Sequence, residues 1–150
     1  MKQAGLAALL AAAALVVAGV ALAGTSPAQY RQQATAICKR TTAKLKTVKS
    51  PASMKGFDHF LKQALPVFQG QYGALNRLTP PASLKALHAK ALTAELQQLV
   101  GIRAAIVQLD KGADPQKTYD AMNRKLSPVS DAETAAWKKL RIPACANVGS

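Results

Sequence analysis

The sequence predicts an all-α, up-down-up-down four-helix bundle that follows an N-terminal signal peptide. Three observations carry that prediction. No stretch alternates apolar and polar residues with period two, whereas four long stretches repeat apolar residues at helical spacing. Three short connections rich in Pro, Gly or Ser separate those stretches, and short connections set sequential helices antiparallel and side by side. A fifth apolar stretch, residues 4–23, holds only Ala, Leu, Val and Gly.

That fifth stretch reads as an export signal. Lys2 supplies a positive leader and Ala21-Leu22-Ala23 a small-x-small cleavage site. Cleavage after Ala23 leaves residues 24–150, 127 in all, as one basic helical-bundle domain in the secreted or extracytoplasmic (cell-envelope) space. Ser26-Pro27-Ala28 is a second, weaker site. At 20 residues the stretch also suffices to span a bilayer, so retention as an anchor is the rival reading. No Cys follows the site, which argues against a lipid-anchored form.

The first helix is expected over 27–48, with Ser26 as N-cap and Pro27 in the first turn. Tyr30, Ala34, Ile37, Thr41, Leu45 and Val48 form its inner stripe, with Cys38 at the edge. The second, over 52–78, turns Phe57, Leu61, Ala64, Phe68, Tyr72, Leu75 and Leu78 to one side, and Pro66 should kink it. The third, over 82–109, has a broad apolar side from Leu84 to Leu109 and stops at Gly112. The fourth, over 115–140, is capped by Asp114 and carries Tyr119, Met122, Leu126, Val129, Ala136, Trp137 and Leu140. Pro128 kinks or splits it. The starts Pro51-Ala52-Ser53-Met54-Lys55 and Pro81-Ala82-Ser83-Leu84-Lys85 lie 30 residues apart and read as one helix-start chemistry used twice.

Cys38 and Cys145 are the two cysteines, 107 positions apart. An even count in an exported chain reads as an intramolecular disulfide, with free thiols or an intermolecular bridge as the alternatives. Simple layering sets Cys38 level with about residue 129, roughly 16 Å short of the end of the fourth helix. The five residues after that helix span at most ~16–18 Å. The tail therefore returns almost straight along the first helix, or the helices are shifted along their axes.

Both glutamates, Glu95 and Glu133, fall on apolar helix faces, as does His88. Layering gathers Tyr30, Tyr72, His88, Glu95, Glu133 and Trp137 at one end of the interior. Such a group is either a self-satisfied polar core, with Arg103 as a possible counter-charge, or a site for a small ligand or metal. His59 points away from the apolar stripe. Two histidines and two paired cysteines leave no zinc spacing, Glu95 and Glu133 lack the Glu-x-x-His pairing of di-iron bundles, and Cys-x-x-Cys-His is absent. Haem held by a Tyr or His88 stays open. No cofactor is expected.

No Gly-rich phosphate loop, Gly-x-Ser-x-Gly elbow or His-Glu-x-x-His occurs, so no catalytic residue is assigned and a non-enzymatic role is expected. The charge is the stronger lead. The net formal charge is +13, and residues 24–150 hold 19 Lys+Arg against 7 Asp+Glu, a net of +12. From residue 31 to 55, Arg31, Lys39, Arg40, Lys44, Lys46, Lys49 and Lys55 follow one another with no acid between them. They lie opposite Ile37 and Leu45, as a cationic face for an anionic envelope polymer, a lipid surface or a protein partner, or simply as a solvated face. No aromatic residue lies among them, which argues against sequence-specific nucleic-acid recognition.

Three segments, Tyr30-Arg-Gln-Gln-Ala-Thr-Ala-Ile-Cys38, Thr79-Pro-Pro-Ala-Ser-Leu-Lys-Ala-Leu-His88 and 137–145 ending Pro143-Ala144-Cys145, are the basis of a resemblance. With them the chain resembles uncharacterised small exported helical proteins of high-GC Gram-positive bacteria, with four helices and one disulfide. The resemblance implies a bond between the first helix and the C-terminus, and it brings no activity or site residues.

Overall fold

The computed structural model describes residues 25–148, and the export signal read at residues 1–23 lies outside them. Those residues form an all-helical up-down-up-down bundle: α1 (Pro27–Leu45), α2 (Phe57–Asn76), α3 (Lys85–Asp110), α4 (Pro115–Lys139) and a short α5 (Pro143–Ala146).

The caps explain the helix starts. Ser26 Oγ accepts the Gln29 N–H at 3.2 Å, and Gln29 Oε1 accepts the Ser26 N–H at 3.0 Å, a reciprocal capping box. Asp114 Oδ1 accepts the Lys117 N–H at 2.8 Å at the start of α4, with Pro115 at its first position. The paired Pro-Ala-Ser segments each form a 3-10 turn, Met54–Gly56 and Ala82–Leu84, that leads directly into α2 and α3. Pro66 and Pro128 lie within continuous helices, so α4 is not split. Both prolines are exposed, as are Lys62 and Arg124 four residues before them, so the carbonyls freed by the missing N–H groups sit on wet faces.

Two helix ends use one reversal. At α3, the N–H groups of Gly112 and Ala113 reach the carbonyls of Leu109 and Gln108, with Gly112 left-handed at φ 82°. At α4, the N–H groups of Arg141 and Ile142 reach those of Lys138 and Trp137, with Arg141 at φ 60°. Each is a Schellman motif. The second turns the chain back so that the fully buried Ile142 joins Trp137 in the core.

That reversal corrects the expected tail. Cys145 reaches Cys38 from the compact helix α5, with their Cα atoms 5.1 Å apart, and no straight return is needed. The expected layer holds at Tyr30, His88 and Trp137, which meet one another. α5 packs on both α1 and α4, and Arg31 Nε donates to the Leu140 carbonyl at 2.8 Å beside it.

The core has two parts. One surrounds the disulfide with Tyr30, Ala34, Ile37, Leu75, Leu92, Trp137, Leu140 and Ile142. The other gathers Phe57, Leu61 and Ala105 with Met54, Phe60, Ile102, Ile106 and Met122. α3 packs against α2 and α4, and Gly101 brings its backbone against Leu126, whose Cδ2 would lie 2.6 Å from a Cβ there. Tyr119, expected on the inner stripe of α4, is exposed and meets Phe57 edge-on, while Thr118 takes the buried position. Among the described residues, no helix is long and apolar enough to cross a membrane.

Candidate functional site

Five of the six interior residues expected from sequence meet, in two linked groups. Near the disulfide, the Tyr30 hydroxyl lies 2.6 Å from His88 Nδ1, and the two rings meet edge-on. His88 in turn stands edge-on to Trp137, with centroids 6.4 Å apart. Burial pushes the Tyr30 hydroxyl up to about 12 and holds His88 below its ordinary value. At neutral pH both are uncharged, so Tyr30 donates and Nδ1 of the imidazole accepts.

Trp137 joins this group to the carboxylates. Its indole N–H donates to Glu133 Oε1 at 3.0 Å, one helical turn away, and Gln98 Nε2 donates to Glu133 Oε2. Glu95, on α3, is 4 % exposed, and neither of its oxygens has a hydrogen-bond partner. Gln71 Oε1 is likewise buried and unpaired. The Gln71 side chain lies near enough to Glu95 to favour its charged form, but not at hydrogen-bonding geometry. Burial, reinforced by the charge of Glu133, pushes the Glu95 carboxyl up to about 8. Burial pushes Glu133 up to about 7 against the opposing Trp137 hydrogen bond.

These groups line a cavity of about 70 Å³ between the two core parts, walled by Phe68, Gln71, Glu95, Gln98, Ser130 and Glu133 and closed on one side by Cys145 and Ala146 of α5. An adjoining groove of about 490 Å³ shares Phe68, Gln98, Ile102 and Ser130 with it, and Leu45, Phe60, Leu61, Met122 and Leu126 form its apolar wall.

Tyr72 is the interior residue that stays outside. It is half-buried and packs on the disulfide-side core without a hydrogen bond to the others. Gln71 takes the inward position instead, and its place was legible: Ala64, Phe68, Gln71 and Leu75 follow the four-three-four spacing of a buried stripe. Gln98 and Ser130 were not singled out either, because polar residues on a helix flank carry no periodic signal. Arg103 does not reach the carboxylates. It is exposed and faces Gln69, whose amide, turned to present its oxygen, accepts from Nε at 3.1 Å and from Nη2 at 2.6 Å. His59 is exposed as expected. Among the described residues, no group of three or more His, Cys, Asp or Glu side chains is placed to hold a metal.

On the outer surface, Lys39, Arg40, Lys44, Lys46, Lys49 and Lys55 are all exposed. Arg31 departs from this set. It is half-buried and anchors the end of α4 by donating to the Leu140 carbonyl. Among the described residues, the ion pairs are those of Lys62 with Asp58 and Asp110, so none involves the cationic face. Arg40 and Lys44, one turn apart on α1, border a groove of about 350 Å³ between α1 and α2, which Thr41, Val67, Gly70 and Ala74 help to floor. No Asp or Glu lines it.

No family model, curated protein or solved structure matches the chain.

Proposed function

We propose that this chain is an exported, non-enzymatic binding or accessory module of the cell envelope or secreted space, whose basic face contacts an anionic partner. The observation that carries the reading is the state of the cations on and after α1. Six are exposed, none is neutralised by an ion pair, and two flank a groove with no acid in it. A charge left unpaired at the surface costs little in water and remains available to a polyanion. The Cys38–Cys145 bond suits an oxidising compartment, which supports the extracytoplasmic placement.

Phosphate is the chemistry common to anionic phospholipid and phosphate-rich wall polymer, and the two are separable. The protein is mixed with vesicles of anionic phospholipid, with neutral vesicles and with soluble polyphosphate, at low and high salt. Binding to at least one anion, weakened by salt and reduced about tenfold by Arg40→Glu with Lys44→Glu, is the expected result. Salt-independent binding, or equal binding to neutral vesicles, overturns the proposal.

A further inference from the structure

The interior cavity presents a chemical asymmetry. Glu95 and Glu133 are the only glutamates of the chain, and both are buried against one cavity. The chain has 20 basic residues, yet among the described residues none pairs with either carboxylate. Glu133 is satisfied by two neutral donors, Trp137 and Gln98. Glu95 has none, and once it is ionised the unpaired atoms at this cavity, Glu95 Oε1, Glu95 Oε2 and Gln71 Oε1, are all acceptors. Burying acceptors without donors is costly, so the complement of this site is a group that only donates.

A primary ammonium is such a group: three N–H donors, no acceptor, and a charge opposite to that of a carboxylate. The cavity of about 70 Å³ has room for about two water-sized groups, which suits the ammonium and the carbon that bears it. The cavity shares four wall residues with the longer groove of about 490 Å³, so a chain attached to that carbon passes along the apolar wall of Leu45, Phe60, Leu61, Met122 and Leu126. Their combined size falls within the usual range of small-molecule sites.

We propose that the cavity and groove together bind a small amphiphile with a primary ammonium head and an apolar tail, with Glu95 as the counter-charge. Glu133, fixed by Trp137 and Gln98, adds negative potential, and Gln71 supplies the remaining acceptor. The cavity lies inside the bundle, whereas the groove reaches the surface beside Lys46 of the cationic face.

The test uses the oxidised full-length protein and isothermal titration with octylamine, octanoate, octyltrimethylammonium and ethylamine. The positive surface of the protein attracts anions and repels cations. A preference for the cation therefore reports the buried site and not the surface. The expected result is saturable binding of one octylamine per chain. Octanoate, octyltrimethylammonium (a cation without N–H donors) and ethylamine (a head without a tail) should each bind about tenfold more weakly or less. Glu95→Gln should weaken octylamine by about tenfold or more while the thermal melt stays cooperative. The head-group and tail-length series on the native protein decides the matter even if the variant folds poorly. Octanoate binding as tightly as octylamine, octylamine binding unchanged in Glu95→Gln, or no saturable octylamine binding would each overturn the proposal. The last result marks the cavity as a hydrated polar core.

Discussion

Among the described residues an ionised Glu95 has no counter-charge, and this ties folding stability to pH. Its carboxyl titrates near 4.5 when unfolded and is pushed up to about 8 when folded. The folded state therefore holds the proton more tightly. The associated stability is complete below about pH 4.5 and is lost as pH rises through 8, the reverse of a salt-bridged carboxylate. Glu133, pushed up to about 7, acts in the same direction. His88 acts oppositely. Its folded value is lowered, so its contribution is complete above about 6.5 and is lost as pH falls below that. Above pH 6.5 the carboxyls act alone. Stability should fall by about 2 kcal/mol between pH 6.5 and 8, given a slope of about 1.4 kcal/mol per pH unit for one proton. Urea unfolding at the two pH values measures this, and Glu95→Gln should remove most of the slope. A flat or rising profile in the native protein would contradict the burial of an unpaired carboxyl.

Among the elements, α3 and α4 end in the same reversal but with different residues. Gly112 carries the left-handed position after α3, and an added Cβ there would meet nothing within 4 Å. Gly112→Ala should therefore cost only the backbone preference, about 1 kcal/mol of stability by chemical denaturation, with no loss of helical circular dichroism. A much larger loss would point to a packing role that the structure does not contain. Arg141 accepts the same conformation without being glycine, because the buried Ile142 that follows holds the reversal in place. That difference explains what was legible here. Gly112 announced its stop through composition, whereas nothing about Arg141 marks a left-handed residue. The short helix α5 followed from the unmarked reversal and was missed with it. Of the alternatives at Pro128, splitting is excluded, since α4 runs unbroken through it as α2 does through Pro66.

At the scale of the molecule, one bond joins α1 to the chain's far end and closes a separation of 107 residues. A loop of that size restricts the unfolded chain by about 4–5 kcal/mol in the chain-entropy account. α5, which carries Cys145, also closes one side of the polar cavity. Reduction should thus lower the urea midpoint by an amount equivalent to about 4 kcal/mol. Hydrogen exchange should rise first at Ile142, Cys145 and the carboxylate layer, and an unchanged midpoint would show that packing alone holds the tail.

The four long helices, the Ser26 and Asp114 caps, most of the inner faces, the pairing of Cys38 with Cys145 and the inward placement of His88, Glu95, Glu133 and Trp137 were legible in the sequence. These follow from interactions within a few residues and from the 3.6-residue repeat, which are local properties. Tertiary packing settled the coiling of the tail into α5, the retreat of Tyr72 behind Gln71, the use of Arg31 as an anchor and, among the described residues, the lack of a hydrogen-bond partner for Glu95. These depend on how whole faces interlock and on where the tail turns back. A shift of a few ångströms leaves the helical repeat intact while it changes which polar atoms meet.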